Sequence, residues 1–233
     1  MMHLRKAARC WLNLAAACAV LSFGVAAHGQ PSTTSAPVLA QEQAMAFALG
    51  DQPIAADQLA LGRRFTKAMT LDTRLSATLD VLMASMRQQV LAGLPANAPP
   101  ARKTLFSAAL DEALAGLKAD ILSKLDTGYS RYFAVSMTPA TLTEVTTFYE
   151  SPLGQKVVRA PTTLTEAENQ AVGQYSLDHP AMMDSMAAMV GGAMVSQKIM
   201  TREQGAMTQT FKVRLCQSLK KRGAASASCT GMG

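Results

Sequence analysis

The chain reads as an all-α protein, a compact multi-helix bundle built from short proline-initiated helices and one proline corner at Ser151-Pro152. Three observations predict it. Apolar residues recur three and four apart through almost every segment, as in Leu110, Leu114, Leu117, Ile121 and Leu125. Ser or Thr followed by Pro recurs where a helix would open, a hydroxyl to cap the first turn and a ring that needs no N–H there. Alternating β-branched runs joined by Asn-Gly or Asp-Gly turns do not occur.

The N-terminus reads as a secretory signal over residues 1–29. Arg5, Lys6 and Arg9 form a basic start, and Trp11 to Ala27 is apolar or small apart from Asn13 and Ser22. Small residues place the cut after Ala27 or Gly29. An uncleaved anchor is the competing reading, but the run of 17 residues is alanine-rich and barely of spanning length. A lipid anchor on Cys18 is disfavoured by the apolar run continuing beyond it. Cleavage would lower the formal charge from +6 to +3, since three basic residues leave. That modest surplus is ordinary solubility and argues against nucleic acid as a partner.

Residues 30–50 follow as a flexible leader: Pro31 to Pro37 is polar and Pro/Ser/Thr-rich, and Val38 to Leu49 can form a loose helix. A single helical domain is expected over 51–207. Asp51-Gln52-Pro53 reads as a helix start, with Leu61, Phe65 and Met69 at four-residue spacing, and Asp72 can cap the next helix. That helix carries Leu75, Leu79, Leu82, Met86 and Val90 and stops at Gly93 and Pro95. A long amphipathic helix begins near Arg102, with Gly128 marking its end. A faint echo links Phe65, Met69, Thr70 and Thr73 to Phe133, Met137, Thr138 and Thr141, 68 residues later.

The corner itself is explicit. Thr138 caps and Pro139 opens a helix that puts Leu142, Val145 and Tyr149 on one face beside Phe148. Ser151 then caps and Pro152 opens a second one, with Leu153 and Val157 four apart before Pro161. Thr163 and Glu166 have the spacing of a capping box for the helix after it. His179-Pro180 ends that helix, and the last long one runs from about Ala181 to Met200 or beyond. The expected interior includes Leu110, Leu114, Leu117, Phe148, Tyr149, Val157 and Met186.

The run Met137-Thr138 … Phe148-Tyr149-x-Ser151-Pro152-x-Gly154 resembles the family called domain of unknown function 2059, over roughly Thr127 to Asp178. The resemblance implies an exported bacterial helical protein, periplasmic in a Gram-negative cell, with no agreed activity. Two positions depart from the family's wording: Met137 replaces an aromatic, and Thr141 replaces a Glu. Thr141 is the third residue of the helix, so the carboxylate half of a capping box is missing and a weaker helix start is expected.

No catalytic, cofactor-binding or metal-binding constellation emerges. His179 stands alone before a proline, where capping or exposure explains it, and Asp111-Glu112 point about 100° apart on a helix. No nucleophile elbow, phosphate loop, dinucleotide fingerprint or zinc-protease motif occurs. The suggestive feature is methionine: Met182, Met183, Met186, Met189, Met194, Met200 and Met207 crowd one segment. Met182, Met186, Met189 and Met194 form a possible apolar surface; their helical spacing reads first as core or as interface with an envelope protein or a second copy, then as the wall of a small apolar ligand's cavity, and last as a thioether site for Cu(I). The Gly191-Gly192 pair would kink this helix or let another cross it closely. In the tail, 208–233, an oxidising compartment favours a Cys216–Cys229 disulfide closing a loop of 14 residues, and Lys220, Lys221 and Arg222 allow a weak contact with anionic lipid. Two functions compete: a non-catalytic envelope interaction module, and a carrier of a small apolar or lipid-like ligand.

Overall fold

Five prolines punctuate the chain at helix starts. Pro100, Pro139, Pro152 and Pro180 each begin an α-helix, and Pro161 begins a single 3₁₀ turn. The missing N–H costs nothing at that position, and the ring holds φ at a helical value. The computed structural model describes residues 36–224; the signal segment, the start of the leader and Cys229 lie outside them. The described residues form α1 (Ala36–Leu49), α2 (Ala56–Ala68), α3 (Leu71–Ala92), α4 (Pro100–Ser136), α5 (Pro139–Glu150), α6 (Pro152–Arg159), the 3₁₀ turn (Pro161–Thr163), α7 (Glu166–Asp178) and α8 (Pro180–Lys221). No strand occurs among them, and the protein is all-α.

Several boundaries move from their expected places. From residue 36 the leader is α1, with Ala44, Met45 and Ala48 buried. Asp51-Gln52-Pro53 lies outside any helix, and α2 starts only at Ala56. Asp72 sits inside the first turn of α3; Thr70 precedes that helix with φ +50°, a left-handed value uncommon for a β-branched side chain. Gly128 does not end α4, which runs on to Ser136. It lies where a methyl group would collide with Ile199, so it permits close packing rather than termination. The capping box belongs to Thr165 and Glu168, two residues beyond the expected pair. The tail continues α8 to Lys221, with Leu215, Ser218 and Leu219 buried.

The described chain divides into two compact units. The first comprises 75–123 and 200–224. Its interior is aliphatic: Leu79, Met83, Leu110, Leu114, Leu117, Met207 and Leu219 are buried. Ion pairs flank that interior. Arg87 meets Asp111, Lys118 meets Asp80, and Arg214 forks across both oxygens of Asp120 at 2.9 Å. Gly116 leaves the space that the Arg214 guanidinium passes through. Glu112 accepts from Ser218, Lys221 and Arg222, which engages two of the three basic residues of the tail run. The hydrogen bonds of Ser218 and Arg222 hold the Glu112 carboxyl below the usual carboxylate range.

The second unit comprises 36–74 and 124–199 and carries an aromatic core. Phe65 meets Phe133 edge to face at 4.8 Å, Tyr132 packs edge-on to Phe133, and Phe148 packs edge-on to Tyr149. The two faint echoes therefore touch, since Phe65 and Phe133 hold equivalent places in them. Along α6 the buried residues are Gly154 and Val158, with Leu153 and Val157 half-buried: the short helix turns one residue away from the expected register.

Candidate functional site

The corner works through Ser151. It terminates α5 through its N–H on the Phe148 carbonyl and caps α6 by accepting from Gly154 N–H at 3.1 Å. Its extended backbone, ψ 158°, makes the turn. Gly154 is required because a Cβ there would stand 2.0 Å from the Phe148 carbonyl oxygen. Gln155 completes the joint by donating to the carbonyls of Tyr149 and Ala68, tying α2 to the corner. Thr138 caps α5 as expected, accepting from Thr141 N–H at 3.1 Å. Its hydroxyl also donates to the Thr141 hydroxyl, a side-chain contact that is not the carboxylate-to-backbone bond of a capping box. The corner's product is placement: it sets Phe148 and Tyr149, each 5% exposed, into the aromatic core.

That core receives one face of α8. Residues Ala181, Ser185, Ala188, Gly191, Gly192, Val195, Ser196 and Ile199 are buried, a stripe of mostly small side chains at three- and four-residue spacing. A Cβ at Gly191 would stand 1.8 Å from the Tyr132 hydroxyl, and one at Gly192 would stand 3.1 Å from the Phe133 ring. The expected close crossing is therefore there, and α8 runs helical through both glycines. Burial pushes the Tyr132 hydroxyl up to about 12. Burial also raises Tyr149, and its hydrogen bond with Ser185 partly offsets that.

The methionines divide between two faces. Met182, Met200 and Met207 are buried and Met189 is half-buried. Met183, Met186 and Met194 are exposed, at 61%, 36% and 45%, with Val190 at 69% between them. Met186 is thus not interior, contrary to expectation. The apolar stripe read from methionine spacing lies to one side of the true buried stripe, because alanine, serine and glycine form the packed face. Gln41 of α1 donates toward the Met194 sulfur at 3.6 Å.

One arrangement had no sequence signal. The His179 ring stacks on Tyr175 with centroids 3.9 Å apart, and Tyr175 stacks on Phe148 at 4.6 Å. His179 Nδ1 hydrogen-bonds Glu144 Oε1, 35 residues away, while its backbone N–H ends α7 on Tyr175. Burial raises the Tyr175 hydroxyl, and the Glu144 charge adds to this. The stack ties α5 to the α7–α8 junction. Among the described residues no group of three or more His, Cys, Asp or Glu could hold a metal ion. No described helix is long and apolar enough to cross a membrane.

All four tyrosines, the corner and the Glu144–His179 pair lie between 123 and 179. No curated protein and no solved structure matches the chain. Residues 123–179 match the model of a bacterial family described as an uncharacterised protein conserved in bacteria, domain of unknown function 2059.

Proposed function

We propose that the protein is an exported, non-catalytic interaction module of the bacterial envelope, which engages its partner through the outward face of α8. The observation that carries this reading is the stripe of Met183, Met186, Val190 and Met194, left in solvent while small residues fill the packed face. Flexible thioethers suit such a surface, because they adapt to a partner's shape at low cost. Export is supported by the basic and apolar N-terminal segment, and the family match supports the bacterial part of the reading alone. The Cys216–Cys229 disulfide belongs to the same proposal, as do the absence of nucleic acid among its partners and only a weak contact of the tail with anionic lipid.

The carrier reading needs a cavity opening at Gly191-Gly192. Tyr132 and Phe133 fill the space in front of those glycines, which favours the interaction module. Native mass spectrometry of protein purified from its own envelope tests the choice. An oligomer or a co-purifying protein, lost on Met186→Asp, is the expected result. A reproducible small adduct of lipid-like mass on an otherwise solitary chain would overturn it in favour of a carrier.

A further inference from the structure

Val190, the most exposed residue of the stripe, sits at its centre. Met186 and Met194 lie four residues to either side of it, so this inner part of the stripe reads alike from both ends, while the outlying Met183 has the exposed Gln197 as its counterpart. The flanking charges do not. Asp184 lies six residues before Val190 and Lys198 eight after, both exposed and neither ion-paired among the described residues. At 100° per residue the two fall on the same side of the stripe.

These facts select a partner. In two antiparallel helices related by a two-fold axis, the same flank of each helix meets the same flank of the other. With the axis at Val190, Met186 of one copy meets Met194 of the second. Lys198 of each copy reaches Asp184 of the other, within about one helical turn along the axis. A parallel pair brings opposite flanks together and leaves both charges without a partner. We propose that the outward face of α8 is an isologous interface on which a second copy of this chain docks antiparallel, centred on Val190. The proposal rests on the interaction-module reading and specifies its partner. The contact is a single helix pair, small in area, and belongs with weak and transient interfaces.

Sedimentation velocity and cysteine cross-linking test it on the full chain as purified. The expected wild-type result is a monomer that becomes a dimer as concentration rises to a few hundred micromolar. Val190→Cys should oxidise to a covalent dimer, whereas Val81→Cys, equally exposed on α3, should not. In a mixture, Met186→Cys should link to Met194→Cys in preference to itself. Lys198→Asp should weaken the dimer ~10-fold or more, and adding Asp184→Lys should restore it. A wild-type chain that stays monomeric at every concentration overturns the proposal, as does preferential self-linking of Met186→Cys. A protein of another kind co-purifying with that monomer would leave the broader interaction reading intact while removing this one.

Discussion

The two faces of α8 between Pro180 and Ile199 use one sequence for opposite purposes. The inner face is built from small residues, and its Gly191 and Gly192 admit Tyr132 and Phe133. The outer face holds three methionines and a valine, all exposed, with Gln41 of α1 reaching the Met194 sulfur. Hydrophobicity alone would assign them the other way round. Size decides for much of this face, because large rings on α4 fill the interior and meet the helix where it carries Gly191 and Gly192. A hydrophobic residue on a helix is thus core only if the facing element leaves volume for it.

Neighbouring methionines give the sharpest contrast. Met182→Ala should cost about 3 kcal/mol, the loss for a truncated buried methionine. Met183→Ala should stay within about 0.5 kcal/mol. Urea unfolding monitored by circular dichroism reads both, and equal losses would break the distinction. Next comes Gly191→Ala. Alanine gains up to ~1 kcal/mol of helix propensity, yet its methyl meets the Tyr132 hydroxyl and Gln41. Overpacking should leave a net loss of about 2 kcal/mol, seen as a fall in melting temperature of roughly 6 °C. A stabilised variant would mean the crossing is loose.

Ser151→Ala should cost about 1 kcal/mol, the ordinary loss of an N-cap, measured in the same unfolding series. It removes the hydrogen bond that orients α6 behind the aromatic core. The smallest effect belongs to Glu168 in α7, a helix with no buried residue. Its hydrogen bond with Lys156, then that from the Thr165 N–H, holds the carboxyl below its usual range. A depressed value contributes stability above the unfolded pKa, and that contribution fades as pH falls through the folded one. The acid limb of a melting-temperature profile, below the ordinary glutamate value of ~4.3, should therefore be flatter in Glu168→Gln. An unchanged limb would exclude that link.

Local grammar was the legible part of the fold. Pro139, Pro152 and the hydroxyls of Thr138 and Ser151 act where their spacing placed them, because caps are decided within one turn. Leu110, Leu114 and Leu117 are buried because one long helix with a single apolar stripe admits one orientation. Thr163 and Thr165 could not be separated by pattern, since each has a Glu three residues on, and the 3₁₀ turn takes Thr163. Met186 and Gly128 were misread for a shared reason: their environment depends on which side chain the partner helix presents. Glu144 and His179 could not be paired at all, because nothing in a 35-residue separation carries that information.

The central claim is that α8 turns its small face inward and its methionine face to solvent. Two valines of that helix test it with the same substitution. Val195 is fully buried and Val190 is 69% exposed. At low protein concentration, Val195→Asp should lower the melting temperature steeply or abolish folding, because it buries an unpaired charge. Val190→Asp should stay within about 2 °C of the wild type, as a surface change of nearly equal helix propensity. Equal losses at the two positions, or a greater loss at Val190, would contradict the account.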